Sequence, residues 1–342
     1  MYRQDAGRQA FRHAGMTLRW GMVLGTLAGL GLAVWLLAST GLHAIGALLA
    51  QAGVVGLAAL ILFHLLQVLF SALAWRSVAG PARPQPSLLQ YVGLRWIREG
   101  VNNLLPVAQI GGEVVAVQLL RRLGLRMADA VAGSVGDLTM EMVTQVGFTL
   151  LGLGLLVLLV GGSGVAGYVA GGAGLAALGA AGFVAAQWFG LAGLIERGIM
   201  RLSRSFGWTP LGEIAGLDEA IRGIYRRPGR AGLACLHHSV SWLLGGVEVC
   251  LALHLIGTEA GLAEGTVIEA LGQATKAAGF VVPGALGVAE GGYVLICHLF
   301  GLPADVAIAL GLMKRLREVV LGVPALLAWR WVGRPSVSGA TT

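Results

Sequence analysis

The chain has 342 residues, a mean hydropathy of +0.78 and only 12% charged residues. Soluble domains carry about 25% charge, so the composition excludes a soluble globular protein and predicts an all-α integral membrane protein with several spans. The net charge of +7 is almost all arginine, since Lys276 and Lys314 are the two lysines; in a chain this apolar the excess reads as cytoplasmic loops and not as a nucleic-acid surface.

Residues 1–19 carry Arg3, Arg8, Arg12 and Arg19, which places the N-terminus in the cytoplasm. The first apolar run, 20–38, is long enough to span and is followed by others, so it reads as an uncleaved helix and not as a signal peptide. Residues 39–53 hold no Lys, Arg, Asp or Glu and read as an outer loop, and the second span is 54–74. The loop beyond it, with Arg76, Arg83, Arg95, Arg98 and three prolines, reads as cytoplasmic.

The stretch VNNLLPVAQIGGE at 101–113 comes next, and Arg121, Arg122 and Arg126 follow. Basic residues on both sides predict that 90–122 enters and leaves on the cytoplasmic side, as a re-entrant segment broken at Pro106 and at Gly111–Gly112. The third span is 130–158, an uncharged Gly-rich loop follows, and the fourth span is 167–187. Residues 188–230 are basic and read as an amphipathic cytoplasmic segment. The fifth span, 232–256, leads to a stretch with Glu259, Glu264 and Glu269 but no Lys or Arg, read as an outer loop. The sixth span is 305–331, its end is cytoplasmic near Arg330 and Arg334, and 333–342 reads as a disordered tail. All of 1–342 forms one polytopic membrane domain with about six transmembrane helices and two re-entrant segments.

The second broken segment lies in 268–300, within KAAGFVVPGALGVAEGG. Sliding the chain by 177 aligns it with the first without a gap. Over 38 positions ten residues are identical, among them Pro106 with Pro283, Glu113 with Glu290, Gly124 with Gly301 and Glu141 with Glu318. Units 90–160 and 268–331 therefore read as a repeat. Three spans between the two broken segments, and the opposite charge of their flanks, predict that the repeat is inverted, an architecture of transporters.

Ionisable residues at membrane depth are functional candidates. Asp137, Glu141 and Gln145 share a helix face at i, i+4 and i+8. Lys314 and Glu318 share another, with Arg317 beside them and Arg315 turned elsewhere. The expected site is a polar cavity between the two tips. Lys276, Lys314, Arg315 and Arg317 would hold a phosphate, the carboxylates, with Glu113 and Glu290 after the tips, could carry protons, and Asn102, Asn103, Gln109 and Gln273 would add neutral partners. The bland alternative is that these charges only fasten the bundle.

Weaker signals carry no chemistry. His237 and His238 read as interfacial and Glu248 as a lone acid, and Cys250 with His254 has no second ligand pair for a metal. The three cysteines read as buried hydrophobes, and no cofactor is expected.

The segments WIREGVNNLLPVAQIGGEVVAVQLL, GDLTMEMVTQ, ALGQATKAAGFVVPGALGVAEGGYVLICHLFGLP and LMKRLREVVLGVPALLAW resemble the transmembrane domain of lysylphosphatidylglycerol synthases and related flippase-like proteins. Within that superfamily the resemblance is closest to the hopanoid-biosynthesis-associated membrane proteins, and it covers about residues 15–332. It implies a bacterial inner-membrane protein that moves lipid between leaflets, with a hopanoid or an anionic, phosphate-bearing lipid as partner. The synthases add a soluble aminoacyl-transferase domain; this chain stops soon after its last span, so lysyl transfer is not implied and no enzyme activity is expected. A membrane transferase using a lipid-linked donor, or a scaffold for lipid-biosynthesis enzymes docked on 188–230, are the alternatives.

Overall fold

A computed structural model describes residues 42–79, 85–105, 111–161, 216–278 and 285–332. Among them are nine helices and no strand: α1 (Leu42–Val78), α2 (Leu88–Leu104), α3 (Gly111–Arg122), α4 (Met127–Val160), α5 (Leu217–Tyr225), α6 (Pro228–Leu255), α7 (Leu262–Ala278), α8 (Val288–Leu299) and α9 (Ala304–Val332). The first and fourth expected spans, most of 188–230, Pro106, Gln109, Pro283 and the tail lie outside the described residues.

Local chemistry sets several boundaries. Ser87 caps α2: its hydroxyl accepts from the Gln90 N–H at 3.3 Å while the Gln90 side chain accepts from the Ser87 N–H at 2.7 Å, satisfying two end donors. At the other end Leu105 is extended, at φ −101° and ψ 146°, as the residue before a proline prefers. Pro228 opens α6, where a missing N–H costs nothing. Gly53 breaks the helical path of α1 at φ 61°, so residues 42–53, expected as a loop, are helical before a kink.

The chain presents its apolar side chains outward. Val54 is 85% exposed, Leu158 81% and Leu295 72%. A soluble protein would cover such surface. α1, α4 and α6 are long and apolar enough to cross a bilayer. α9 has the length, but Lys314, Arg315, Arg317 and Glu318 sit in its middle.

The helix bounds recur along the chain. α3 and α8 are 177 residues apart at both ends, α4 and α9 at their starts, and α1 and α6 at their ends. Gly124 and Gly301, repeat mates, both turn the chain with positive φ, 94° and 71°. The cores recur too. Tyr91, Leu119, Leu120 and Ala130 of one cluster have Ile268, Ile296, Cys297 and Ala307 as mates in the other. The matching region is longer than the sequence identities mark out, because α1 and α6 belong to it.

α1 and α6 pack side by side and run antiparallel. Gly56 lies against Leu255, His64 meets Glu248, and Ser71 meets Ser241. Across the units α2 packs on α9 and α7 on α4. Both crossings are close because small residues meet there. A Cβ on Gly100 would lie 2.7 Å from Ala325 Cβ, and one on Gly152 2.5 Å from Ala270 Cβ.

These crossings give a prediction. Gly100→Leu and Gly152→Leu each overpack a helix crossing and should destabilise by about 1–3 kcal/mol, read as a lower melting temperature in detergent. Gly154→Leu, whose Cβ meets nothing within 4 Å, should leave it unchanged.

Candidate functional site

Seven helices surround a polar cavity of about 460 Å³. α1 supplies His64, Gln67 and Ser71; α2 supplies Arg95, Arg98, Glu99, Asn102 and Asn103. Glu113 comes from α3, Glu141 and Gln145 from α4, and His238, Ser241 and Trp242 from α6. α7 adds Gln273 and Lys276, and α9 adds Arg317 and Glu318. A second cavity of about 390 Å³ lies at the start of α4 against α5, among Arg126, Asp129, Glu219 and Arg226, apart from this chemistry.

Arg98 is the centre of the first unit. Its guanidinium donates to Asp137 Oδ2 and Glu141 Oε2, both at 2.6 Å, and its Nε lies 2.6 Å from Glu113 Oε1. Its flat face stacks over Trp75 at 5.4 Å from the ring centre. Arg95 donates to both oxygens of Glu141, at 2.5 and 2.9 Å, and to Glu99 at 2.7 Å. One planar donor fork serving three carboxylates is a task that arginine performs and lysine does not.

The second unit is built differently. Lys276 donates to Glu318 at 2.7 Å and to Asn103 of the first unit at 3.2 Å. Arg315 donates to Glu290 and to Glu318, both at 2.9 Å. Lys314 bonds Glu269, and Arg317 bonds Glu248. The units keep position but exchange sign at two places, where Asp137 has Lys314 as its repeat mate and Glu99 has Lys276, while Glu113 and Glu141 have Glu290 and Glu318.

The helices that follow the two tips are tied down by different means. Asn102 Oδ1 accepts from the Gly112 N–H at 2.8 Å, fastening the start of α3 to α2. Glu290 accepts from the Gly287 N–H at 2.7 Å, fastening α8 to its own first turn.

The cavity thus brings together Asn102, Asn103, Glu113, Glu141, Gln145, Gln273, Lys276, Arg317 and Glu318 of the expected residues. Asp137 and Arg315 stand behind the lining as partners of Arg98 and Glu318, and Glu290 and Lys314 lie one step further back, on Arg315 and Glu269. Arg315 does not turn away from Glu318 but pairs with it, because residues three apart on a helix are neighbours. Lys314 faces α7 and not Glu318.

Four other readings are corrected. Arg95 and Arg98 are not loop residues: they lie in α2 with side chains 9% and 3% exposed. Charge alone suggested a cytoplasmic flank, but of the acids that absorb these arginines only Glu99 is close in sequence. Glu269 is not in an outer loop; it is buried in α7. His238 is not interfacial; it is 1% exposed, with Nε2 3.0 Å from Asp137 Oδ1. Glu248 is not alone, since it meets Arg317, Gln67 and His64.

Sequence reasoning missed His64, Gln67, Arg95, Arg98 and Glu99. A usable signal existed: Arg95, Arg98, Glu99, Asn102 and Asn103 follow the helical spacing of one polar stripe.

Asp137, Glu141 and His238 offer ligand atoms within 4.8 Å of one another, as a metal site would. Arg98 already donates to both of these carboxylates, so the guanidinium supplies the charge that a cation would bring.

A family model described as lysylphosphatidylglycerol synthase TM region matches residues 22–325. The chain belongs to that family. It is therefore a membrane protein of a lipid-related family. No curated protein and no solved structure matches it.

Removing Arg98 would leave Glu113, Asp137 and Glu141 short of a partner in a buried site. Arg98→Ala should cost about 3–5 kcal/mol, the range for breaking a buried pair, read as lost folded yield or a large drop in melting temperature. Arg126→Ala, which breaks an exposed pair with Asp129, should change neither.

Proposed function

We propose that the protein is a lipid translocase of the bacterial inner membrane. A headgroup crosses through the central cavity while the apolar part of the lipid stays in the bilayer. The observation that carries this reading is the cavity itself: charged and amide side chains from both repeat units line a volume of about 460 Å³ inside helices whose outer faces are apolar. Dragging a charged headgroup through hydrocarbon is expensive, and a polar path removes most of that cost.

The lining carries four cations, Arg95, Arg98, Lys276 and Arg317, and four acids, Glu99, Glu113, Glu141 and Glu318. Lys276 is the least enclosed of these cations, at 19% against 9% or less for the arginines. It is the point at which an anionic, phosphate-bearing headgroup engages. The lipid partner is a phospholipid of this kind or a hopanoid derivative. No bond is made or broken in this scheme, so the protein is not an enzyme. The matching helix bounds and the antiparallel α1–α6 pair favour an inverted repeat, and the arginines of residues 1–19 put the N-terminus on the cytoplasmic side of this scheme.

Two experiments test the reading. In a chain whose native cysteines are alanine, Arg122→Cys and Leu299→Cys place thiols at exposed repeat mates. An impermeant thiol reagent should label the first from the cytoplasmic side and the second from the other. Labelling of both from one side defeats the inverted arrangement.

In proteoliposomes with a fluorescent phospholipid, the protein should expose the inner-leaflet pool to an impermeant quencher. Lys276→Gln should slow this about tenfold or more, the loss expected for one charge-assisted hydrogen bond of about 1.5–3 kcal/mol, with unchanged abundance in the membrane. If neither phospholipid nor hopanoid moves, the scaffold or transferase alternatives take its place.

A further inference from the structure

Among the described residues the ion pairs that are buried around the cavity fall into three groups, and only one of these fails to balance. Lys314 and Glu269 form a neutral pair. Lys276 and Arg315 with Glu290 and Glu318 form a neutral quartet. The remaining group is held by three fixed cations, Arg95, Arg98 and Arg317. Against them stand five carboxylates: Glu99, Glu113, Asp137, Glu141 and Glu248. With all five carboxylates ionised two positive charges are missing, and two histidines lie within this group and in neither of the other two.

The geometry of His64 points to where one charge belongs. Its Nδ1 is 3.0 Å from Glu248 Oε2, and its Nε2 is 3.6 Å from Glu99 Oε2. Neutral imidazole has one N–H and would turn a lone pair towards one of these acids; imidazolium presents an N–H to both. His238 stands against Asp137 Oδ1 at 3.0 Å in a fully buried setting. Around His64 the neighbours are Gln67 on α1, Glu99 on α2, Glu248 on α6 and, through Glu248, Arg317 on α9. Around His238 they are Asp137 and Glu141 on α4, Arg98 on α2 through both acids, and His237 on α6. Arg76 on α1 faces Tyr91, and no ion pair joins it to the group among the described residues.

We propose that this cavity is also a proton path: His64 and His238 each take up and release one proton as a headgroup crosses, so that a pH difference across the membrane drives the lipid. The proton on His64 lies between Glu99 of α2 and Glu248 of α6, and so joins the two repeat units. Losing it leaves two acids facing a neutral ring and loosens the contact between the units. The coupling rests on the translocase reading, whereas the proton count does not.

Two measurements test it. Purified protein in detergent, brought from about pH 8 to about pH 5, where histidine exchanges its proton, should bind about two more protons per chain than the His64→Gln, His238→Gln double variant. Asp137→Asn, which keeps both histidines, should bind about one proton fewer than the wild type. Equal uptake by wild type, the double variant and Asp137→Asn overturns the proposal.

The second measurement needs no variant. Proteoliposomes with an enclosed pH dye and a fluorescent phospholipid receive a pH gradient of either sign. The lipid rate should rise for one sign and fall for the other, with a dye signal that depends on lipid. Lipid movement indifferent to the gradient overturns the coupling and leaves the translocase standing. No lipid movement at all overturns the translocase reading, and the coupling falls with it.

Discussion

A formal charge between apolar helices has to meet an opposite charge or leave. The unpaired alternative costs several kcal/mol per group even after relaxation, comparable to the whole stability of a domain. That constraint orders this protein. Arg98 cannot sit in α2 unless α3 brings Glu113 and α4 brings Asp137 and Glu141 to it. Lys276 needs Glu318 of α9, and Arg317 needs Glu248 of α6. Apart from Arg98–Glu113, on consecutive helices, each pair links helices that the chain separates widely, so charge placement fixes which helices become neighbours while the apolar clusters fill the space between.

The cavity follows from the same constraint. Polar side chains that cannot face lipid turn inward, and the helices that carry them cannot close completely around so many guanidinium and carboxylate groups. Small residues at the α2–α9 and α4–α7 crossings bring the backbones close at the edges, so the space remains at the centre. The polar volume and the tight crossings are two parts of one packing arrangement.

Hydropathy made the fold class legible, and it placed α4, α6 and α9 within a few residues of their bounds. The offset of 177 was legible through rare identities, Pro106 with Pro283 and Glu141 with Glu318. Its full reach was not. α1 and α6 share bounds and core positions, but their matched residues differ in kind: Trp75 stands where the other unit has Ala252, and Ala72 where it has Val249. The burial of Arg95, Arg98 and Glu269 was hidden for another reason. Rules about charge count residues near a span, and these side chains lie beside the span in sequence but inside it in space. Apart from Glu99 and Glu113, their charged partners are tens of residues away, and the local pattern does not name them.

The sign exchange between the units explains why a repeat can enclose a charged centre. Two identical units facing each other would each offer the same sign at the same depth. Two like charges 4 Å apart repel by about 4 kcal/mol at an effective dielectric of 20. Lys314 in the place of Asp137 and Lys276 in the place of Glu99 supply cations that meet Glu269 and Glu318 of the second unit. It also makes the halves unequal. The first unit hangs its acids on two arginines of one helix; the second divides its cations between α7 and α9. Architecture is repeated while electrostatics is not, so the polar residues facing the cavity differ from one unit to the other even where the backbone around them recurs.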